Sequence, residues 1–96
     1  MSHYVAIVEE EPGRAVGVWF PDLPGCFSAG GSIEEAMANA REVLTLWADV
    51  LAERGREMPA PRTLTELKAD AAAIADLKSH MVAMIPFEEP VRVAAE

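Results

Sequence analysis

One long amphipathic helix constrains this chain more than any other stretch. Ser32-Ile33-Glu34-Glu35 reads as a helix start. The Ser32 hydroxyl is placed to accept the N–H of Glu35, and the Glu35 carboxylate to reach back to the N–H of Ser32, a capping box. Glu34 and Glu35 also put negative charge at the positive end of the helix dipole, and Gly30-Gly31 closes whatever precedes. Ile33, Ala36, Met37, Ala40, Val43, Leu44, Trp47 and Leu51 then recur as one stripe at helical spacing. Glu34, Asn39, Arg41, Glu42, Asp49 and Glu53 fall on the opposite face. Arg54 precedes Gly55, a natural left-handed stop. The spacing predicts a helix over Ser32 to Arg54, about six turns. Its apolar face demands a sheet or another helix to cover it.

The flanking segments supply strands. Tyr4 to Val8 alternates and is rich in β-branched and aromatic residues. Glu9-Glu10-Glu11-Pro12-Gly13 reads as a turn, and Arg14 to Phe20 as a second strand paired to the first in an antiparallel hairpin. Val16, Val18 and Phe20 share one face of it, Gly17 and Trp19 the other. Pro21 ends that strand. Pro24-Gly25 suits the central positions of a type II turn, with proline fixing φ and glycine taking φ > 0. Cys26 to Ala29 is a short third strand. Met58-Pro59-Ala60-Pro61-Arg62 is an extended, proline-marked crossing. Thr63 to Lys78 returns to helical pattern with a break near Asp70. His80 to Phe87 is a last strand, with Met81, Ala83, Ile85 and Phe87 on one face and Val82 and Met84 on the other. Pro86 favours an edge position or a termination for it. The order is β-β-β-α-α-β: an α+β sandwich of two layers, an antiparallel meander with one long helix on one face. Residues 1–88 form the domain and 89–96 a tail.

Size and charge narrow the function. Ninety-six residues make one domain, burying roughly 60–70% of the unfolded surface in one modest core. An apolar fraction of 51% with 25% charged residues is ordinary for a soluble globular protein. No run of about 18 apolar residues exists, so no membrane span is expected. The start shows no basic-then-apolar signal segment, and the single cysteine, Cys26, allows no internal disulfide, so a cytoplasmic location is expected. Sixteen acidic residues against eight basic give a net charge of −8. That disfavours direct contact with nucleic acid, which needs clustered Lys and Arg. It suits a basic protein partner, or solubility alone.

The hairpin, the run Val18-Trp19-Phe20-Pro21-Asp22-Leu23-Pro24-Gly25-Cys26, then Ala29-Gly30-Gly31-Ser32-Ile33-Glu34-Glu35-Ala36, Asn39-Ala40-Arg41-Glu42-Val43-Leu44 and Pro59-Ala60-Pro61 together resemble the HicB family of antitoxins. The resemblance covers about the first two-thirds of the chain, with a weaker echo from Val82 to Phe87. The turn followed at fixed distance by the capped helix is specific as a combination. The resemblance implies a non-catalytic regulator of a type II toxin–antitoxin pair, on a partly degraded ribonuclease-H-like fold. It implies binding of a small, basic, HicA-like toxin that cleaves mRNA. Many such antitoxins add a C-terminal DNA-binding module. Here Val91-Arg92-Val93 stands where a ribbon–helix–helix strand could begin, but no helices follow within the 96 residues, and operator binding is not among the expectations.

Candidate residues each carry two readings. Asp22 is either a carboxylate facing a toxin or a metal, or a turn residue bonded to local backbone; the turn reading is preferred. Pro21, Pro24 and Gly25 are conformational. Glu9, Glu10 and Glu11 are either an electrostatic contact for a basic partner or a solvated turn. Trp19 is an interface anchor if Val16, Val18 and Phe20 pack on the helix, and a core residue if the phase is reversed. Trp47 lies on the apolar stripe and belongs to the core. Cys26 has no adjacent base and reads as a buried small side chain. His3 and His80 are too few for a closed metal site, and no metal or other cofactor is expected. A two-metal nuclease needs converging carboxylates, which three consecutive turn residues and strands without Asp or Glu in their interiors do not provide.

Three functions follow: an inhibitory module for a basic toxin, a stand-alone domain self-assembling as dimer or tetramer through a sheet face or edge, and, least favoured, a residual nuclease.

Overall fold

The computed structural model of the protein describes residues 2–88. Its elements are β1 (Ser2–Glu9), β2 (Val16–Trp19), β3 (Phe27–Gly30), α1 (Ile33–Glu53), α2 (Leu64–Lys68), α3 (Ala71–Ser79) and β4 (Met81–Phe87). The strands form one antiparallel sheet in the order β3-β2-β1-β4. The first three are the expected meander, and β4 returns beside β1. β1 is longer than its alternating stretch because β4 pairs along its whole length, from Ser2↔Phe87 to Val8↔Met81. β2 is shorter than expected, since Arg14 belongs to the turn closed by its own N–H on the Glu11 carbonyl.

Ser32 caps α1 as expected, its Oγ accepting the Glu35 N–H at 3.1 Å. The return bond differs. Glu35 Oε1 accepts the N–H of Gly31, not of Ser32, at 2.9 Å. A Cβ on Gly31 would stand 3.8 Å from that oxygen, an ordinary contact, so the bond does not require glycine there. Ala36, Ala40, Leu44 and Ala48 form the buried line of α1. Three alanines at spacing i, i+4 let the helix sit close on the sheet, over Tyr4, Ala6, Val8, Val16, Val18, Phe20, Ile85 and Phe87. Helix and strand approach closely at Gly30, where a Cβ would stand 2.5 Å from the Ala36 nitrogen. Trp47, placed in the core by its spacing, is half-buried at the rim of that cluster and lies against the Pro24-Gly25 turn.

The second helical pattern divides where Asp70 interrupts it, giving α2 and α3. Thr63 and Glu66 form a complete capping box for α2, and Asp70 caps α3 by accepting the Ala72 N–H. These helices pack on the other face of the sheet, where Leu64, Leu67, Ala73 and Leu77 meet Val5 and Val82. The long helix therefore covers one face, and a partial third layer covers the β1–β4 half of the other. The proline-marked crossing passes beneath the end of the sheet: the Tyr4 hydroxyl donates to the Pro59 carbonyl, and Arg62 reaches the Asp22 turn. The tail expected over 89–96, including Val91-Arg92-Val93, lies outside the described residues.

Candidate partner-binding face

Trp19 is settled by the position of α1. Val16, Val18 and Phe20 are buried beneath that helix, so Trp19 points to the opposite face. The register sets Phe27, Trp19, Ile7 and Val82 in one row across that face. α2 and α3 cover the Val82 end of the row and leave the Phe27 end open. Phe27 is 58% exposed. Its ring lies beside Gly17, whose missing side chain leaves room for it. Trp19 is half-buried, edge-to-face with His80 at 5.3 Å between ring centroids. The result is a two-ring aromatic platform on the β2–β3 half of the sheet.

An acidic corner borders it. Glu9 is on the same face as Trp19, and its Oε2 lies 3.2 Å from His80 Nε2. His80 Nδ1 is 3.3 Å from the Asp76 carbonyl. Glu10 and Glu11 continue into the exposed turn, and a shallow cleft runs between Glu9, Glu10, Glu11, Ser79 and His80. Glu11 forms an exposed pair with Arg14 at 3.5 Å, of little energetic weight. Glu10 is exposed and faces solvent.

Asp22 sits elsewhere and is used internally. Its side chain is 6% exposed. Oδ2 accepts the backbone N–H of Arg62 at 2.8 Å and Oδ1 accepts Arg62 Nε–H at 2.6 Å. Arg62 Nη1 also donates to Asp70 Oδ2 at 2.9 Å. The hydrogen bond from Arg62 holds the Asp70 carboxyl below the usual carboxylate range, helped by the Ala72 N–H, and the two carboxylates push the guanidinium higher still. One arginine thus ties the β2–β3 turn, the crossing and the start of α3 together. Arg62 had no local sequence signal. Phe27 had one, since a turn centred on Pro24-Gly25 sets it opposite Trp19.

The Leu23-to-Cys26 turn closes as expected, with Cys26 N–H on the Leu23 carbonyl at 2.9 Å and Gly25 at φ +90°. Cys26 is buried, and desolvation pushes its thiol up to about 11. Among the described residues no group of three or more His, Cys, Asp or Glu side chains is placed to hold a metal ion. Nor is any described helix long and apolar enough to cross a membrane.

The family described as HicB-like antitoxin of bacterial toxin–antitoxin systems matches residues 4–92. The chain belongs to this family. It is 36% identical over 73 residues to Antitoxin HicB 2 of Photorhabdus laumondii, covering 76% of this chain and 51% of that protein. Among solved structures, Burkholderia pseudomallei antitoxin HicB superposes with a TM-score of 0.74 at 25% identity, over 100% of this chain and 75% of that one. A chain of the HicA3–HicB3 toxin–antitoxin complex superposes at 0.71 with 19% identity, over 91% and 99% respectively, a likeness of fold. The match spans 51% of the length of that Photorhabdus antitoxin and 43% of an uncharacterized 14.9 kDa protein of Haemophilus phage HP1. The family is described as one of antitoxins.

Proposed function

We propose that this HicB-like domain sequesters a small basic toxin of the HicA type, one that cleaves mRNA, and that it does so through the open half of its sheet. The observation that carries the reading is the Trp19–Phe27 platform, left uncovered beside Glu9, Glu10 and Glu11 in a chain of net charge −8. Aromatic rings on a rigid strand row anchor a cationic side chain by stacking and cation–π attraction. The acidic corner steers a basic surface toward them. Asp22 contributes indirectly, by holding Arg62 and the crossing. Glu10 and Glu11 act through charge and Trp19 through contact. A toxin that acts on mRNA places the pair in the cytoplasm.

The test is co-expression of the chain with the basic protein encoded beside it, scored by growth and by pull-down across a salt series. Growth rescued by the native chain, lost with Trp19→Ala/Phe27→Ala, and a complex weakened by salt support the reading. A harmless neighbour, or rescue unchanged by the double substitution and by Glu9→Lys/Glu10→Lys/Glu11→Lys, overturns it.

A further inference from the structure

His80 holds both of its ring nitrogens against acceptors. Nε2 lies 3.2 Å from Glu9 Oε2 on β1, and Nδ1 lies 3.3 Å from the Asp76 carbonyl, one turn back in α3. A carboxylate and a carbonyl offer no proton, and a neutral imidazole carries one N–H. Both contacts are hydrogen bonds only when the ring is an imidazolium. The same ring stands edge-to-face with Trp19, so its charge lies beside the aromatic platform. The His80 side chain is 23% exposed and that of Glu9 is 49% exposed, so the carboxylate has room to turn and the ring has little.

The surroundings set the direction of the effect. Glu9 faces His80 from β1, and Glu10 and Glu11 of the turn line the same cleft. α3 contributes the Asp76 carbonyl, while Lys78, the basic residue of its last turn, is exposed. β2 contributes Trp19, which is uncharged. Among the described residues lining the cleft, His80 alone can carry positive charge. Loss of its proton leaves one N–H for two acceptors and removes the charge pair with Glu9 in either tautomer. With the N–H kept on the Asp76 carbonyl, a lone pair faces the carboxylate and drives it off.

We infer that His80 is a proton-operated latch on Glu9: the imidazolium holds the carboxylate to itself, and the neutral ring releases it to a cation captured on the platform. The inference rests on the proposed capture of a basic partner by the Trp19–Phe27 face, in which His80 is a positioning residue. A cation arriving beside Trp19 meets a like charge while His80 is protonated, and meets a free carboxylate once it is not. By linkage, capture expels the His80 proton to solvent. Affinity therefore rises with pH across roughly pH 5 to 8, the range in which histidines ordinarily change charge.

Calorimetric titration of the full chain with the basic protein encoded beside it, across that range, tests the latch. The native complex should tighten at least about fivefold from the acid to the alkaline end. It should also release protons, seen as a binding heat that varies with the ionisation heat of the buffer. His80→Gln, which carries no charge, should bind at least about fivefold tighter than the native chain at the acid end and lose that part of the proton release. His80→Lys, which keeps a positive charge, should bind weakly at both ends. Other titrating groups act alike in all three chains, so the comparison isolates His80. A His80→Gln chain that follows the native profile, or that binds more weakly at every pH as the loss of a purely structural side chain would, overturns the inference. A native chain that captures no basic partner at any pH overturns the capture reading instead, and the free chain then decides the latch. Magnetic resonance signals of the Glu9 carboxylate and the Trp19 indole that move with the His80 ring during a pH titration uphold it; signals that ignore the ring overturn it.

Discussion

His80 and Trp19 stand edge-to-face, with ring centroids 5.3 Å apart and planes at 76°, although 61 positions separate them in sequence. His80 follows the end of α3, and Trp19 ends β2, so the pair marks the border between the covered and open halves of the sheet. Neither side chain belongs to the two apolar clusters. Trp19→Ala should therefore leave the fold intact and weaken capture of the basic partner by about 30-fold or more, the effect of losing a hot spot of about 2 kcal/mol. Calorimetric titration beside a thermal melt separates the two effects. A melt that collapses with binding would show Trp19 to be structural.

Arg62 and Asp70 give a pH dependence with a defined sign. The Asp70 carboxyl is held below its usual range in the folded chain, so its contribution is complete above the ordinary carboxylate pKa. It is lost as pH falls through the depressed folded value, when the unfolded chain binds the proton more readily. Asp70→Asn should lower the melting temperature at neutral pH. The gap from the native protein should close on acidification. A gap that is constant with pH would mean that Arg62 draws nothing from this charge.

Cys26 should be chemically silent. Its thiol is buried and pushed up to about 11, so almost no thiolate exists at neutral pH. A thiol reagent should label it only at the rate of unfolding, and labelling should become immediate in denaturant. Rapid labelling of the native protein would contradict its burial.

Gly30 and Gly31 should behave differently despite being adjacent. A Cβ on Gly30 meets the backbone of α1 at 2.5 Å, whereas one on Gly31 meets only the flexible Glu35 carboxylate at 3.8 Å. Gly30→Ala should cost about 1–3 kcal/mol by forcing helix and sheet apart. Gly31→Ala should cost within about 0.5 kcal/mol. Urea titrations of the two variants measure the difference directly.

These cases show which features are local enough to read from the chain. The Ser32 cap, the apolar stripe of α1, the Pro24-Gly25 turn and the break at Asp70 rest on spacings of a few residues and appear in place, except that Glu35 returns to the Gly31 N–H and not to that of Ser32, and Trp47 stays at the rim of the core. The capping box at Thr63 and Glu66 is equally local, a Thr-x-x-Glu spacing set within one turn. Strand alternation divides Trp19 from Val18 but does not say which of them meets the helix; that depends on where α1 docks. The division of the second helical segment onto the opposite face depends on Val5 meeting Leu67, and the internal use of Asp22 on Arg62, 40 positions away. Contacts at that separation leave no periodic trace.

The aromatic row lies on strands rather than on a loop, and this bears on how quickly the protein can act. Its backbone is already fixed by neighbouring strands before any partner arrives, so little ordering entropy opposes capture. Encounter would then be governed by diffusion and by the field of the acidic corner. The same readiness has a converse. On the proposed reading, an open half-sheet that never closes is displayed whenever the chain exceeds its partner, so the ratio of the two sets how much of that surface is left exposed.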